Sequence, residues 1–168
     1  GAIIGGGFSG LLAAARLRDN IAANGFTAIN LHETALADRL CTAPMSWLDK
    51  GLGAGYISSG TCLGAHAGRI IIPNVSVAPL DDFVTNPGHS PLMKVDVEGA
   101  EALVFAGATE FLKSRPTIIV ESFSQTACDL IWRLLPPGYE VFKIIEDGFV
   151  VRQDRLIACD SSGRNGYD

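Results

Sequence analysis

The stretch from Leu92 to Val120 constrains the fold more than any other part of the chain. Leu92–Val97 is predicted to be a strand, and apolar residues then recur along Ala100–Leu112 at the spacing of one helix face. Arg115-Pro116 ends that helix, because proline disfavours helical backbone in the residue before it. Thr117–Val120 is a β-branched run, typical of a strand buried on both faces. Strands that alternate with helices predict an α/β sheet with helices on both of its faces.

The rest of the chain extends this pattern over 168 residues, the length of one domain, and we expect residues 1–168 to form a single one. Glycine-rich Arg39–Arg69 is predicted to form loops and weak hairpin strands, and the polar tail Ser161–Asp168 to be flexible. The other predicted elements are strands at Ala2–Ile4, Thr27–His32 and Ile70–Val77 (broken at Pro73-Asn74), helices at Leu11–Ala23 and Thr126–Leu135, a turn into a short helix over Pro79–Val84, and C-terminal strands at Glu140–Ile145, Phe149–Val151 and Leu156–Cys159, with a hairpin turn at Glu146-Asp147-Gly148.

Composition excludes several classes of function. The net charge is −5, and no basic stripe offers phosphate contacts, so a nucleic-acid partner is disfavoured. The apolar runs are far shorter than the ~18 residues of a membrane span. The four cysteines form no C-x-x-C pair and have no histidine at ligand spacing, so we expect no metal site and mostly buried, reduced thiols in a cytoplasmic protein.

A glycine motif follows the first predicted strand. Gly5, Gly7 and Gly10 fit G-x-G-x-x-G between a strand and a helix, where backbone amides approach a cofactor closely. Glu33, at the end of the next predicted strand, is placed to bind a ribose. The segment resembles the opening of flavin- or nicotinamide-binding Rossmann enzymes. A site for S-adenosylmethionine and a turn that only packs a helix on a strand are the alternatives.

A second motif lies where the Leu92–Val97 strand ends. Lys94, Asp96 and Glu98 alternate with apolar residues and therefore share one face of the strand. Open α/β sheets bind ligands at the carboxyl ends of their strands, and charges there are costly unless paired or used. The simpler interpretation is a capped turn, with Glu98 and Glu101 favourable at the helix N-terminus.

This second motif resembles the FkbM-family methyltransferases, whose hallmark is a strand and helix "IKIDVEGAE" followed by "RP" and a buried strand that ends in Glu. The resemblance extends over about Leu17–Cys159 and includes "LRDNIAANGFTAINLHETALAD" and "VAPLDDFV" upstream. The matching motif positions are Lys94, Asp96, Val97, Glu98, Gly99, Ala100, Glu101, Gly107, Arg115, Pro116 and Glu121.

The resemblance implies a Rossmann-like, class I methyltransferase sheet and an S-adenosylmethionine-dependent O-methyltransferase that acts on a hydroxyl of a small molecule or sugar. It places Asp96 at the reaction centre, where a carboxylate takes or holds the hydroxyl proton. Glu98 is the second candidate, Lys94 keeps the carboxylates ionised, and Glu121 contacts substrate.

The resemblance also implies a donor site for S-adenosyl-L-methionine, formed by Gly5, Gly7, Gly10, Glu33 and Ala35. The chain departs from the family pattern here, because the family's acidic loop and a following strand have no counterpart before the predicted Leu11–Ala23 helix. We therefore expect a sheet that lacks one N-terminal strand. The alternatives are a module that binds FAD or NAD(P), and a catalytically inactive, truncated relative.

Overall fold

A computed structural model describes residues 2–4, 8–48, 55–57, 69–97, 99–145 and 148–159 of the chain. Helices and strands alternate along much of it, and the mixed α/β class is as predicted. The strands are β1 (Ala2–Ile4), β2 (Asn30–His32), β3 (Ala35–Leu36), β4 (Cys41–Leu48), β5 (Gly55–Ile57), β6 (Arg69–Ala78), β7 (Leu92–Val95), β8 (Thr117–Val120), β9 (Val141–Ile144) and β10 (Val150–Gln153). The helices are α1 (Phe8–Ala23), α2 (Glu101–Ala106), α3 (Thr109–Lys113) and α4 (Gln125–Leu134), and a 3-10 turn covers Leu80–Asp82.

The described strands pair in four groups. Two are parallel pairs, β1 with β2 and β7 with β8, as expected of strands joined through helices. The third is the predicted C-terminal hairpin, in which β9 and β10 run antiparallel. The fourth is a sheet in the order β3-β6-β4-β5, where β4 runs antiparallel to both of its neighbours. Three of the candidate site residues, Glu33, Asp96 and Glu121, directly follow strands of the two parallel pairs.

The main core lies against one face of the β7–β8 pair. Met93 and Val95 of β7 pack on Val104 and Phe105 of α2 and on Ile131 of α4. Phe105 and Ile131 are fully buried, which fixes α2 and α4 beneath β7. Burial of each such side chain stabilises the fold by roughly 1.5–3 kcal/mol. The strand ends above this core therefore lie on a rigid support.

The single helix predicted over Ala100–Leu112 is wrong, because the chain breaks at Gly107 into α2 and α3. The Gly107 backbone lies so close to the Ala37 carbonyl that a Cβ would collide with it. The Gly107 carbonyl accepts from the Asp81 amide at 3.1 Å. Contacts with residues distant in sequence, which helical periodicity does not register, thus end α2 early.

The described residues of Arg39–Arg69 include an antiparallel pair of strands, β4 and β5, where hairpin strands were predicted. β4 is eight residues long, and β6 continues through the break predicted at Pro73-Asn74. The pairing of β4 with β6 instead shifts register between Ala43 and Met45, opposite Pro73-Asn74. Proline donates no ladder hydrogen bond, and a bulge of this kind accommodates it without ending the strand.

Four smaller predictions also differ from the structure. β2 is shorter than Thr27–His32, and Leu156–Cys159 forms no strand. β8 has the predicted bounds but alternates in burial, and Ile119 is 41% exposed, so burial on both faces is wrong. Of the thiols expected to be mostly buried, Cys128 is buried, whereas Cys41 and Cys159 are exposed.

Several predictions fall outside the described residues. They concern Gly5 and Gly7 of the glycine motif, Glu98 of the second motif, the turn residues Glu146-Asp147 and the tail Ser161–Asp168. None of the described helices combines enough length with enough apolar character to traverse a bilayer.

Candidate functional site

The carboxyl ends of β7 and β8 bring three predicted site residues to one edge. In the parallel register, Lys94 of β7 lies opposite Ile119 and Val95 opposite Val120. The Glu121 amide donates to the Val95 carbonyl at 3.1 Å, which extends the ladder one step beyond β8. Asp96 and Glu121 are thereby the first residues after neighbouring strands, and both are exposed. The topology therefore places the two carboxylates side by side at the end of the sheet.

Lys94 is paired with Asp96 across the end of β7. Its Nζ donates to Asp96 Oδ2 at 2.9 Å, and the Asp96 side chain is 41% exposed. The hydrogen bond and charge of Asp96 raise the pKa of Lys94, and the more distant charge of Glu121 adds to the effect. Lys94 therefore stays cationic across the physiological range and holds one carboxylate oxygen in place. Lys94 and Asp96 thus form an ion pair at the end of β7.

The buried side chain of Glu101 holds the backbone at Gly99, shortly after Asp96. This carboxylate is 2% exposed, and its Oε1 accepts from the Gly99 amide at 2.7 Å. Gly99 has φ +100°, a backbone conformation that suits glycine and strains other residues. The helix-capping interpretation thus applies to Glu101, while Lys94, Asp96 and Glu121 remain exposed at the edge.

The parallel β1–β2 pair forms a second edge. Ile4 lies opposite His32, so Glu33 is the first residue after β2, the strand that pairs with β1. Gly10 lies in the first turn of α1. Glu33 forms an ion pair with Arg18 of the same helix, and both side chains are largely exposed. Ala35 is buried in a small cluster with Val75 and Val77, so its side chain faces the core.

An aromatic contact links the end of β2 to the main core. The rings of His32, at the end of β2, and Phe83 lie 4.6 Å apart between centroids, tilted by 50°. Phe83 packs in turn against the core cluster that contains Met93 and Val95 of β7. The end of β2 is therefore joined to the core under β7 through one aromatic side chain.

Phe123 lies exposed just after the end of β8, and the sequence motifs did not single it out. It follows Glu121 by two residues and is 53% exposed, whereas the intervening Ser122 is buried. The available signal was the alternation Glu-Ser-Phe directly after a strand. Within the described ranges, no three acidic, histidine or cysteine side chains are grouped so that they could hold a metal ion.

The fold and this edge define an α/β protein whose strand ends carry paired charges in the position of a Rossmann-type ligand site. The methyltransferase FkbM domain model matches residues 12–146, so the chain belongs to the FkbM methyltransferase family and the resemblance is confirmed. No curated protein matches the chain.

A solved structure supports the fold. The chain is similar to methyltransferase FkbM from Methylobacillus flagellatus KT, with a TM-score of 0.54 at 14% sequence identity. The alignment covers 84% of this chain and 32% of that one, so the chain spans about a third of that structure's length. The likeness confirms the predicted Rossmann-like α/β fold.

Proposed function

We propose that the chain catalyses S-adenosylmethionine-dependent methyl transfer to a hydroxyl of a small molecule or sugar. Membership of the FkbM methyltransferase family supports the reaction class. The observation that carries the proposal is the Asp96 carboxylate, held at 2.9 Å by Lys94 and adjacent to Glu121 at the carboxyl ends of β7 and β8. Open α/β sheets place ligands at this edge.

The residues present fit a methyl-donor site. The glycine motif lies in the sequence between β1 and α1, and the acidic residue Glu33 directly follows the neighbouring strand β2, as in Rossmann nucleotide sites. Gly5, Gly7 and Gly10 would let the backbone approach the donor, and Glu33 would bind its ribose hydroxyls. Ala35 would contribute only through its backbone, because its side chain is buried. When bound, S-adenosylmethionine supplies an electrophilic methyl group on a sulfonium.

The protein's own part is alignment and control of one proton. Asp96 accepts the proton of the acceptor hydroxyl, with Glu98 as the second candidate for that role. Lys94 occupies Oδ2 of Asp96, and the carboxylate keeps further acceptor capacity for the hydroxyl. Glu121 accepts a hydrogen bond from a second hydroxyl of the substrate and so orients the substrate. Alignment of this kind supplies much of the rate enhancement in a displacement reaction.

Replacement of Asp96 by Asn tests the proposal, because it keeps the side-chain shape but removes the base. We expect transfer of labelled methyl from S-adenosylmethionine to an acceptor library to fall by about 10²–10⁴-fold. Asp154→Asn, at an exposed aspartate after β10, is the matched control and should keep full activity. Circular dichroism should show both variants folded.

Other results would contradict the proposal. A yellow preparation, or a thermal shift with nicotinamide nucleotides and none with S-adenosylhomocysteine, would favour the FAD or NAD(P) module. A folded wild-type chain that neither binds S-adenosylhomocysteine nor transfers methyl would be the inactive relative. Full activity in Asp96→Asn would remove Asp96 from the reaction centre.

A further inference from the structure

The exposed face of β8 continues past the end of the strand. Ile119 and Glu121 are exposed, Ser122 is 4% exposed, and Phe123 is exposed again. Glu121 and Phe123 therefore face solvent on either side of Ser122, which is buried. The Glu121 carboxylate is therefore flanked along the chain by two apolar side chains, Ile119 and Phe123.

The backbone on either side of Phe123 is anchored. The Ser122 carbonyl accepts from the Cys159 amide at 2.7 Å. Ser124 is the N-cap of α4, where its Oγ accepts from the Ala127 amide at 3.3 Å. Phe123 is thus presented between two fixed residues, and an aromatic ring on two rotatable bonds loses little entropy when it binds a ligand.

The chemistry of this edge matches a particular kind of acceptor. An apolar surface with a few placed polar groups is typical of small-molecule sites. A hydroxylated saturated ring has an apolar face of C–H groups and a rim of hydroxyls, and an open-chain polyol holds no such face. The Phe123 ring suits the C–H face of such a saturated ring, and the carboxylates of Asp96 and Glu121 suit its hydroxyls.

We propose that Phe123 is a specificity-determining residue that packs against the C–H face of a hydroxylated ring. Asp96 and Glu121 accept hydrogen bonds from the hydroxyls of that ring. The inference rests on the proposed methyl transfer and names the shape of its acceptor. It predicts that the site prefers a pyranoside to a linear polyol with similar hydroxyl groups.

Saturation-transfer NMR with two neutral probes tests the proposal. Methyl α-D-glucopyranoside presents a ring, and D-sorbitol is its open-chain counterpart. We expect saturation of the pyranoside C–H protons by the wild-type chain, with weaker binding of sorbitol. Phe123→Ala should weaken pyranoside binding by about tenfold, and Phe123→Leu, which keeps apolar bulk, by less.

Phe149→Ala is the matched control, because Phe149 is 67% exposed beside β10 and does not lie next to the ends of β7 and β8 in the sequence. It should leave pyranoside binding unchanged. Unchanged affinity in Phe123→Ala, an equal loss in Phe149→Ala, equal binding of sorbitol, or no pyranoside binding by the wild type would each overturn the role of Phe123. Calorimetry with S-adenosylhomocysteine separates the two ideas. If the wild-type chain does not bind S-adenosylhomocysteine, the proposed function is overturned. If it does bind S-adenosylhomocysteine but Phe123→Ala binds the pyranoside as well as the wild type does, only the inference about Phe123 is overturned.

Discussion

The Asp81 carboxylate caps helix α3 from a distant part of the chain. Its Oδ1 accepts from the Phe111 amide at 2.8 Å, and its Oδ2 accepts from the Glu110 amide at 2.9 Å and the Thr109 hydroxyl at 3.2 Å. The first amides of a helix have no partner within the helix and need such acceptors. α3 leads directly into β8, so this cap supports the strand that carries Glu121.

Asp81→Ala would leave the amides of Glu110 and Phe111 without their acceptor. Loss of an N-cap costs about 1 kcal/mol, and hydrogen bonds to a charged group contribute about 1.5–3 kcal/mol each. Water can replace the exposed Glu110 bond, but the half-buried Phe111 bond is replaced less well. We therefore expect the free energy of unfolding to fall by about 2 kcal/mol, which lowers Tm by about 4–8 °C in a chain of this size.

Urea denaturation followed by far-ultraviolet circular dichroism measures this effect. Asp82→Ala is the control, because it removes an exposed carboxylate from the same 3-10 turn. Asp81→Asn should lose less stability than Asp81→Ala, since the amide oxygen still accepts. Equal stability of Asp81→Ala and Asp82→Ala would refute the assignment of the cap to Asp81.

Three further outcomes are expected. Gly107→Ala forces a methyl group into a neighbouring backbone carbonyl and should cost about 1–3 kcal/mol in urea unfolding, so unchanged stability would contradict the close approach. Because the pKa of Lys94 is raised in the folded state, its stabilising contribution is present below about 10.5, the pKa of unfolded lysine, and is lost as pH rises through the higher folded value. The difference in unfolding free energy between wild type and Lys94→Met should thus be constant from neutral pH to about pH 9 and shrink above about pH 10.5. A change in this difference near neutral pH would contradict the raised pKa of Lys94. Burial raises the pKa of the Cys128 thiol, so a maleimide should label exposed Cys41 and Cys159 in the native chain well before Cys128, as mass spectrometry of peptides would show. Equal labelling rates would contradict that burial.

Local patterns predicted the elements that lie at and beneath the carboxyl ends of β7 and β8. The β-branched run set the bounds of β8, and the amphipathic pattern located α4 to within a residue at each end. The alternation of Lys94 with Asp96 placed both on one face, and the structure pairs them. These features depend on residues close in sequence, which is why they could be predicted from the sequence alone.

Contacts between distant residues account for what the sequence did not reveal. The break at Gly107 depends on Ala37 and Asp81, and no local signal distinguishes it from a helical glycine. The ion pair of Glu33 with Arg18 and the packing of His32 on Phe83 likewise depend on how the elements assemble. For the same reason, the sequence alone does not show that Phe123 is exposed while its neighbour Ser122 is buried.

Calorimetric titration with S-adenosylhomocysteine tests the central claim most directly, because the proposed reaction requires a donor site whatever the acceptor is. We predict saturable binding with a stoichiometry near one, weakened in Glu33→Ala and unchanged in the surface control Asp154→Asn. The absence of heat from a folded wild-type chain at millimolar ligand, or equal binding by Glu33→Ala, would contradict the donor site proposed at the end of the β1–β2 pair.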